Sequence, residues 1–221
     1  MIDLQRDGDV FVLRLDAGEN RFAPDFLGAF EDALGTVEES EGPAALVTVG
    51  TGKFYSNGLD LEWLGANPDR LEDYLRRVNG LYARLLSLPA PTVAAVNGHA
   101  FAGGGMLVLA HDFAVMRTDR GYFCLPEVDL GMSFTPGMGA LIQARLPKAS
   151  AHEAMITGRR YTAEQARRAG IVQHTAEQER VLPVATELAA SLAAKDGAIV
   201  GKIRRDMYGP ALEALRGPVL A

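Results

Sequence analysis

Three stretches of this sequence combine residue types that could do chemistry. The first holds Glu127, in Leu125-Pro126-Glu127-Val128-Asp129-Leu130-Gly131, with Met132 and Phe134 shortly after. Apolar surroundings disfavour a charged carboxylate and raise its pKa, which suits a general base near neutral pH. A salt-bridged or helix-capping glutamate is the other reading of the same residue. The second stretch is Gly98-His99-Ala100-Phe101-Ala102-Gly103-Gly104-Gly105. Three adjacent glycines cost about 0.5–1 kcal/mol each in regular structure, so they fit a place where a ligand or chain must approach the backbone closely. The apolar segment they open, residues 106–111, would present unpaired N–H groups and positive potential at its amino end. A carbonyl oxygen held there would gain donors as its enolate forms, and losing one such donor typically costs about 2.7–4 kcal/mol of barrier. Close helix–strand packing is the structural alternative, and the spacing does not fit the dinucleotide fingerprint G-x-G-x-x-G. The third stretch is Phe54-Tyr55-Ser56-Asn57-Gly58-Leu59-Asp60-Leu61. Its backbone N–H groups can converge on an anion, or it is a tight turn with Asn57 or Asp60 as a helix cap.

The remaining polar residues carry weaker signals. Asp60 or Asp129 could supply a second acid, though both read more readily as structural. His99 and His111 lack an evident metal-ligand partner, no Ser-His-Asp ordering stands out, and nothing points to a metal. Cys124 lies in the apolar run Tyr122-Phe123-Cys124-Leu125 and reads as inert packing.

The elements that must position these residues alternate between strand and helix. Val10–Leu15 follows an Asp7-Gly8-Asp9 turn signal and is expected to pair with residues 2–5. Pro24 opens a helix in which Phe26, Leu27, Phe30 and Leu34 recur at helical spacing. Residues 44–49 form a continuous apolar run ended by Gly50, as a buried strand would. Residues 53–60 read as a loop and 70–88 as a long amphipathic helix stopped by Pro89 and Pro91. Thr92–Val96 reads as the next buried strand, 98–105 as a glycine-rich loop, and 106–111 as a helix apolar on nearly every side. Residues 113–116 look like another strand, which 122–125 extends. Beyond Pro136 the chain reads as mostly helical. The pattern defines an α/β class. One domain covers residues 1–221, with a core at 1–187 and a C-terminal helical segment at 188–221.

Composition narrows the function. The 221 residues suffice for one substantial core. A formal net charge of −6 argues against a broad nucleic-acid-binding face. The single cysteine precludes an intramolecular disulfide and fits a reducing compartment. The first residues lack a secretory pattern, no apolar run is long enough for a bilayer, and the last three residues are not a peroxisomal tripeptide. No membrane partner is expected, and cytoplasm is the expected location.

Taken together and in order, these stretches resemble the crotonase, or enoyl-CoA hydratase/isomerase, superfamily. The resemblance runs from the first strand pair through residues 54–61, 91–112 and 123–131 to Thr135-Pro136-Gly137-Met138-Gly139. It continues in Thr157-Gly158-Arg159-Arg160-Tyr161-Thr162-Ala163. It implies a ClpP-like spiral of β-β-α turns, an acyl-CoA thioester substrate, no separate cofactor, and a homotrimer or dimer of trimers. By this resemblance the oxyanion hole falls on the amides of Ser56 and Gly103, and the substrate loop on Asn57, Gly58, Leu59 and Asp60. Pro126, Met106, Met132 and Phe134 are expected to contact substrate, with Arg21, Phe22 and Lys202 as candidates for the CoA nucleotide. Family hydratases carry two glutamates; Glu127 matches the second, and Met106 stands at the first. Methionine cannot activate water. Shifting a double bond needs one carboxylate, so the resemblance implies a Δ3,Δ2-enoyl-CoA isomerase with Glu127 as the proton shuttle. A hydratase or another enolate-forming member such as a thioesterase is the enzymatic alternative, and a non-catalytic acyl-CoA-binding protein is the other.

Overall fold

The computed structural model describes residues 2–220. Two residues separate β1 (Ile2–Asp7) from β2 (Val10–Leu15), and Gly8 takes a φ of +59° there, so the strands pair antiparallel from Asp7↔Val10 outward. Helix α1 (Pro24–Glu38) starts on its proline and buries Phe26, Leu27, Phe30 and Leu34. From there the chain makes three similar turns. β3 (Ala45–Gly50), β5 (Thr92–Val96) and β7 (Phe113–Arg117) join one sheet in parallel register. The strand following each, β4 (Phe54–Ser56), β6 (His99–Phe101) and β8 (Phe123–Cys124), turns away into a second, smaller sheet. The large sheet runs β1-β2-β3-β5-β7-β9 and closes on β9 (His174–Ala176). This is the expected spiral.

Both β3 and β5 are buried along their whole length, which is why they read as continuous apolar runs rather than alternating ones. One face of the large sheet packs Val10, Val47 and Val93 under Val181, Ala185 and Ala189 of α8 (Gln178–Leu192). The other face joins the main core with α1 and α3 (Leu71–Leu86). α4 (Gly103–Leu109) is buried at every position. α5 (Pro136–Arg145), capped by the Thr135 hydroxyl accepting from Met138 N at 3.1 Å, packs beside it. α6 (Lys148–Thr157) and α7 (Ala163–Arg168) follow, and α9 (Gly197–Arg216) lies back across α3 and α5. Arg204 of α9 is buried and bonded to Asp112 and the Leu88 carbonyl, which ties the last helix to the turn beyond α4.

Several local expectations shift. Residues 54–56 and 99–101 are strands rather than loops; at three residues each, flanked by glycines, they are too short to show a period of two. A short helix, α2 (Leu61–Ala66), stands between β4 and α3. α4 begins at Gly103, so the three glycines are its first turn rather than a loop before it. α8 starts at Gln178 and runs across residues 187 and 188.

Candidate active site

Glu127 lies in the turn after β8. The Glu127 carbonyl accepts from Met132 N at 2.9 Å and the Pro126 carbonyl from Asp129 N at 3.0 Å, which fixes where the side chain leaves the backbone. The residue is 6% exposed, and among the described residues its Oε2 is buried with no hydrogen-bond partner and its carboxylate meets no cation. Burial pushes its pKa up to about 7, opposed only by a bond from its own backbone. Neither a salt bridge nor a helix cap accounts for it.

The carboxylate borders a cavity of about 490 Å³. Asn57, Leu59, Met106, Pro126 and Met132 line it with Glu127, so six of the residues picked out in the sequence meet there. Asp129 lines it too. Asp60 instead caps α2, its Oδ1 accepting from Trp63 N at 3.1 Å, and Phe134 packs half-buried on the main core. Phe22 is fully buried against Tyr82, which removes it as a nucleotide contact, and Lys202 pairs with Asp206 on α9 at 2.9 Å. Arg21 does stand at the cavity, ion-paired with Glu19 at 2.7 Å.

Ser56 requires a correction. It is fully buried and paired opposite Ala100 in the β4–β6 ladder, so its amide belongs to the sheet. Its hydroxyl donates to Asn20 O at 2.7 Å and accepts from Gly58 N at 3.1 Å, which shapes the turn that follows. Gly58 then takes a φ of +78° and passes so close to α4 that a Cβ on it would stand 2.5 Å from Gly103 N. The next amide, Leu59 N–H, finds no acceptor among the described residues. Gly103 N–H, at the first position of α4, is unpaired as helix geometry requires. Among the unpaired amides of the first turn of α4, that of Gly103 is the one the Gly58 turn approaches, so Leu59 N–H and Gly103 N–H are free amides brought together from two elements.

Two supports of this arrangement went unread in the sequence. Ala102 precedes Gly103 with φ +49° and ψ −122°, a conformation sparsely populated by residues with a Cβ. Asn20, at φ +52°, is fully buried; its Nδ2 donates to Tyr55 O at 3.0 Å, and its neighbours hold the loop through Asn57 N→Glu19 O and Phe22 N→Gly58 O. Asparagine tolerates a positive φ, the one signal that could have flagged it. Among the described residues no three His, Cys, Asp or Glu side chains converge as a metal cluster. His99 is half-buried among Phe54, Phe101 and Tyr122 rings, and His111 is buried in the core.

The spiral α/β fold thus sets a lone buried carboxylate beside a cavity, with unpaired amides from a β-loop and a glycine-led helix close together. The family model for enoyl-CoA hydratase/isomerase matches residues 5–215, and the chain belongs to that family. It is 37% identical to the peroxisomal enoyl-CoA delta isomerase 2 of Arabidopsis thaliana, over 94% of this chain and 92% of that one. With enoyl-CoA delta isomerase 3 of the same plant it shares 36% identity over the same fractions. A crystal structure of a probable enoyl-CoA hydratase from Mycobacterium tuberculosis superposes with a TM-score of 0.92 at 27% identity, covering 99% of this chain and 92% of that one. An enoyl-CoA isomerase structure from the same bacterium gives 0.89 at 28% identity, covering 97% and 94%. Among the described residues no helix is long and apolar enough to cross a membrane.

Proposed function

We propose that this protein is an enoyl-CoA isomerase that moves a double bond from C3 to C2 of an acyl-CoA thioester. The observation that carries the reading is Glu127: buried, its Oε2 without a hydrogen-bond partner, with its pKa near 7, and facing a cavity in which Met106 stands where a hydratase would place its first glutamate. The ionised carboxylate takes a proton from C2 of the 3-enoyl thioester. The electron pair moves into a dienolate whose oxygen is held by the Leu59 and Gly103 amides, and Glu127 returns the proton to C4. Met106, almost fully buried, keeps water from the carboxylate. The reaction needs no cofactor beyond the coenzyme A of the substrate. Asn57, Leu59, Pro126 and Met132 form the substrate walls, while Ser56, Gly58 and Asp60 position the loop. A homotrimer or dimer of trimers is the assembly we propose, in a reducing compartment such as the cytoplasm, which fits the single buried thiol.

The test is to mix the protein with 3-enoyl-CoA and follow the absorbance of the conjugated thioester. Glu127→Gln is expected to remove the signal while leaving thioester binding nearly intact; full activity in that variant would show that another group is the base. Asp129 borders the same cavity, so a hydratase reading keeps one specific support. Incubation with crotonyl-CoA separates the two, because hydroxyacyl-CoA forms only if a second group activates water, and free CoA only if the thioester is cleaved.

A further inference from the structure

Gly103 is both crowded and loose. A Cβ there would stand 2.9 Å from the Tyr82 hydroxyl oxygen, 3.0 Å from the Phe22 ring and 3.1 Å from the Gly58 Cα, so only glycine lets these groups close on the amide. Glycine, however, leaves the backbone free to rotate on either side of its Cα. The residue before it is held: Ala102 N–H donates to Cys124 O at 3.0 Å, and Ala102 O accepts from Met106 N at 3.1 Å. The peptide after it is held by a side chain. Tyr82, fully buried on α3, donates its hydroxyl to Gly103 O at 2.9 Å. Its ring stands edge-on to Phe22 with centroids 6.3 Å apart, and burial keeps its pKa well above the usual tyrosine value, so the proton stays on the hydroxyl. Leu75, Asn79 and Tyr82 share one face of α3. Leu75 lines the cavity, and Asn79 donates to Thr135 of its wall at 3.1 Å.

We infer that Tyr82 is a positioning residue for the isomerisation: its hydrogen bond to Gly103 O keeps the Gly103 amide beside Leu59 N–H and aimed at the enolate oxygen as it forms. The inference rests on the isomerase reading and extends it to a side chain that acts through Gly103 rather than on the substrate. A main-chain donor lowers the barrier only while it points at the developing charge. Rotation about the Gly103 Cα would turn the N–H away, and the tyrosine opposes that rotation on the side Ala102 does not control. The same bond also satisfies a hydroxyl that would otherwise be stranded in the apolar core. A purely structural role for Tyr82 would end there.

The experiment compares the unaltered protein with Tyr82→Phe, which removes only the hydroxyl, and with Val78→Ala, which thins the core on the same helix. Two quantities are read: kcat and KM with 3-enoyl-CoA, and the pH at which a bound 3-ketoacyl-CoA ionises, followed by the near-ultraviolet absorbance of its enolate. Tyr82→Phe is expected to lower kcat about 10- to 100-fold while KM stays within about twofold, and to raise the enolate pKa by about one unit or more. Val78→Ala is expected to lower the urea midpoint with kcat and the enolate pKa unchanged. If Tyr82→Phe behaves like Val78→Ala, or raises KM alone, the positioning role is overturned and the isomerase reading stands. If 3-enoyl-CoA is not turned over, yet the unaltered protein ionises the 3-ketoacyl thioester and Tyr82→Phe weakens this, the isomerase reading alone falls. No enolate signal in the unaltered protein removes Gly103 as an oxyanion donor, and the role of Tyr82 with it.

Discussion

At the scale of single residues the proposed isomerisation turns on the ionisation of Glu127. A base must be charged to take a proton, and burial raises this carboxyl to about pKa 7. In the free enzyme kcat/KM should therefore climb as pH rises through about 7 and level off above it, instead of already being flat at pH 6 as an exposed glutamate would give. A profile taken between pH 5.5 and 8.5 with one substrate decides this. Glu127→Gln should lower kcat by about 10²–10⁴-fold, the usual worth of a positioned base. Glu127 was legible through its match to the second glutamate of the family resemblance; its neighbours Leu125 and Pro126 fit an apolar setting but left a structural glutamate equally open, and Val128 is exposed. The proposed oxyanion donors were half legible. Gly103 stands out as a glycine at a helix start, but a donor that is a main-chain N–H leaves no mark on residue type. Ser56 and Leu59 could be told apart only once β4 claimed one amide and the Gly58 turn freed the other.

At the scale of elements, the start of α4 carries opposite requirements at neighbouring positions. Ala102 sits at positive φ, which costs a residue with a Cβ on the order of 1–3 kcal/mol. Two residues on, a Cβ on Gly104 would come within 2.1 Å of the Ser56 carbonyl oxygen, a backbone atom that cannot step aside. Ala102→Gly should therefore raise the urea midpoint, by about 1 kcal/mol of stability after glycine's own entropy is subtracted. Gly104→Ala should lose about 3 kcal/mol or more and most of the activity, because β4 and α4 must separate and with them the two amides. Equal responses at the two positions would contradict this geometry. The long elements were readable from period and punctuation: Pro24 opens α1, Pro89 follows α3, and unbroken apolar runs mark β3 and β5. The strands of the small sheet were not readable. β4, β6 and β8 hold only two or three residues each, and what makes them strands is their parallel pairing with one another across distant sequence. No local pattern encodes that.

At the scale of the whole molecule, two buried groups pull the stability in opposite directions with pH. His111 is fully inside the core. Its Nδ1–H donates to Leu107 O at 2.8 Å, so Nε2 is the acceptor for Thr48 Oγ1 at 2.9 Å, and Tyr55 in turn donates to Thr48 at 2.7 Å. That chain of bonds requires a neutral ring. Burial lowers its pKa to about 4, partly countered by the Leu107 bond and by Asp112, with Arg145 and Arg204 adding to the depression. Its contribution is fully present above the unfolded value near 6.5 and is lost as pH falls towards 4. Glu127 does the reverse. Its folded pKa lies above the unfolded 4.5, so its contribution is fully present below 4.5 and is lost as pH rises through 7. Each spans on the order of 3 kcal/mol, and between pH 4.5 and 6.5 their slopes cancel. The unaltered protein should thus show a nearly constant urea midpoint across that window. Glu127→Gln removes one partner and unmasks the other. The variant should be more stable than its parent at pH 8, and should then lose roughly 1.4 kcal/mol per pH unit below 6.5. If urea titrations of the two proteins stay parallel from pH 8 to 4.5, the carboxylate is not titrating inside the fold, and the base proposed for the reaction has to be sought elsewhere in the cavity.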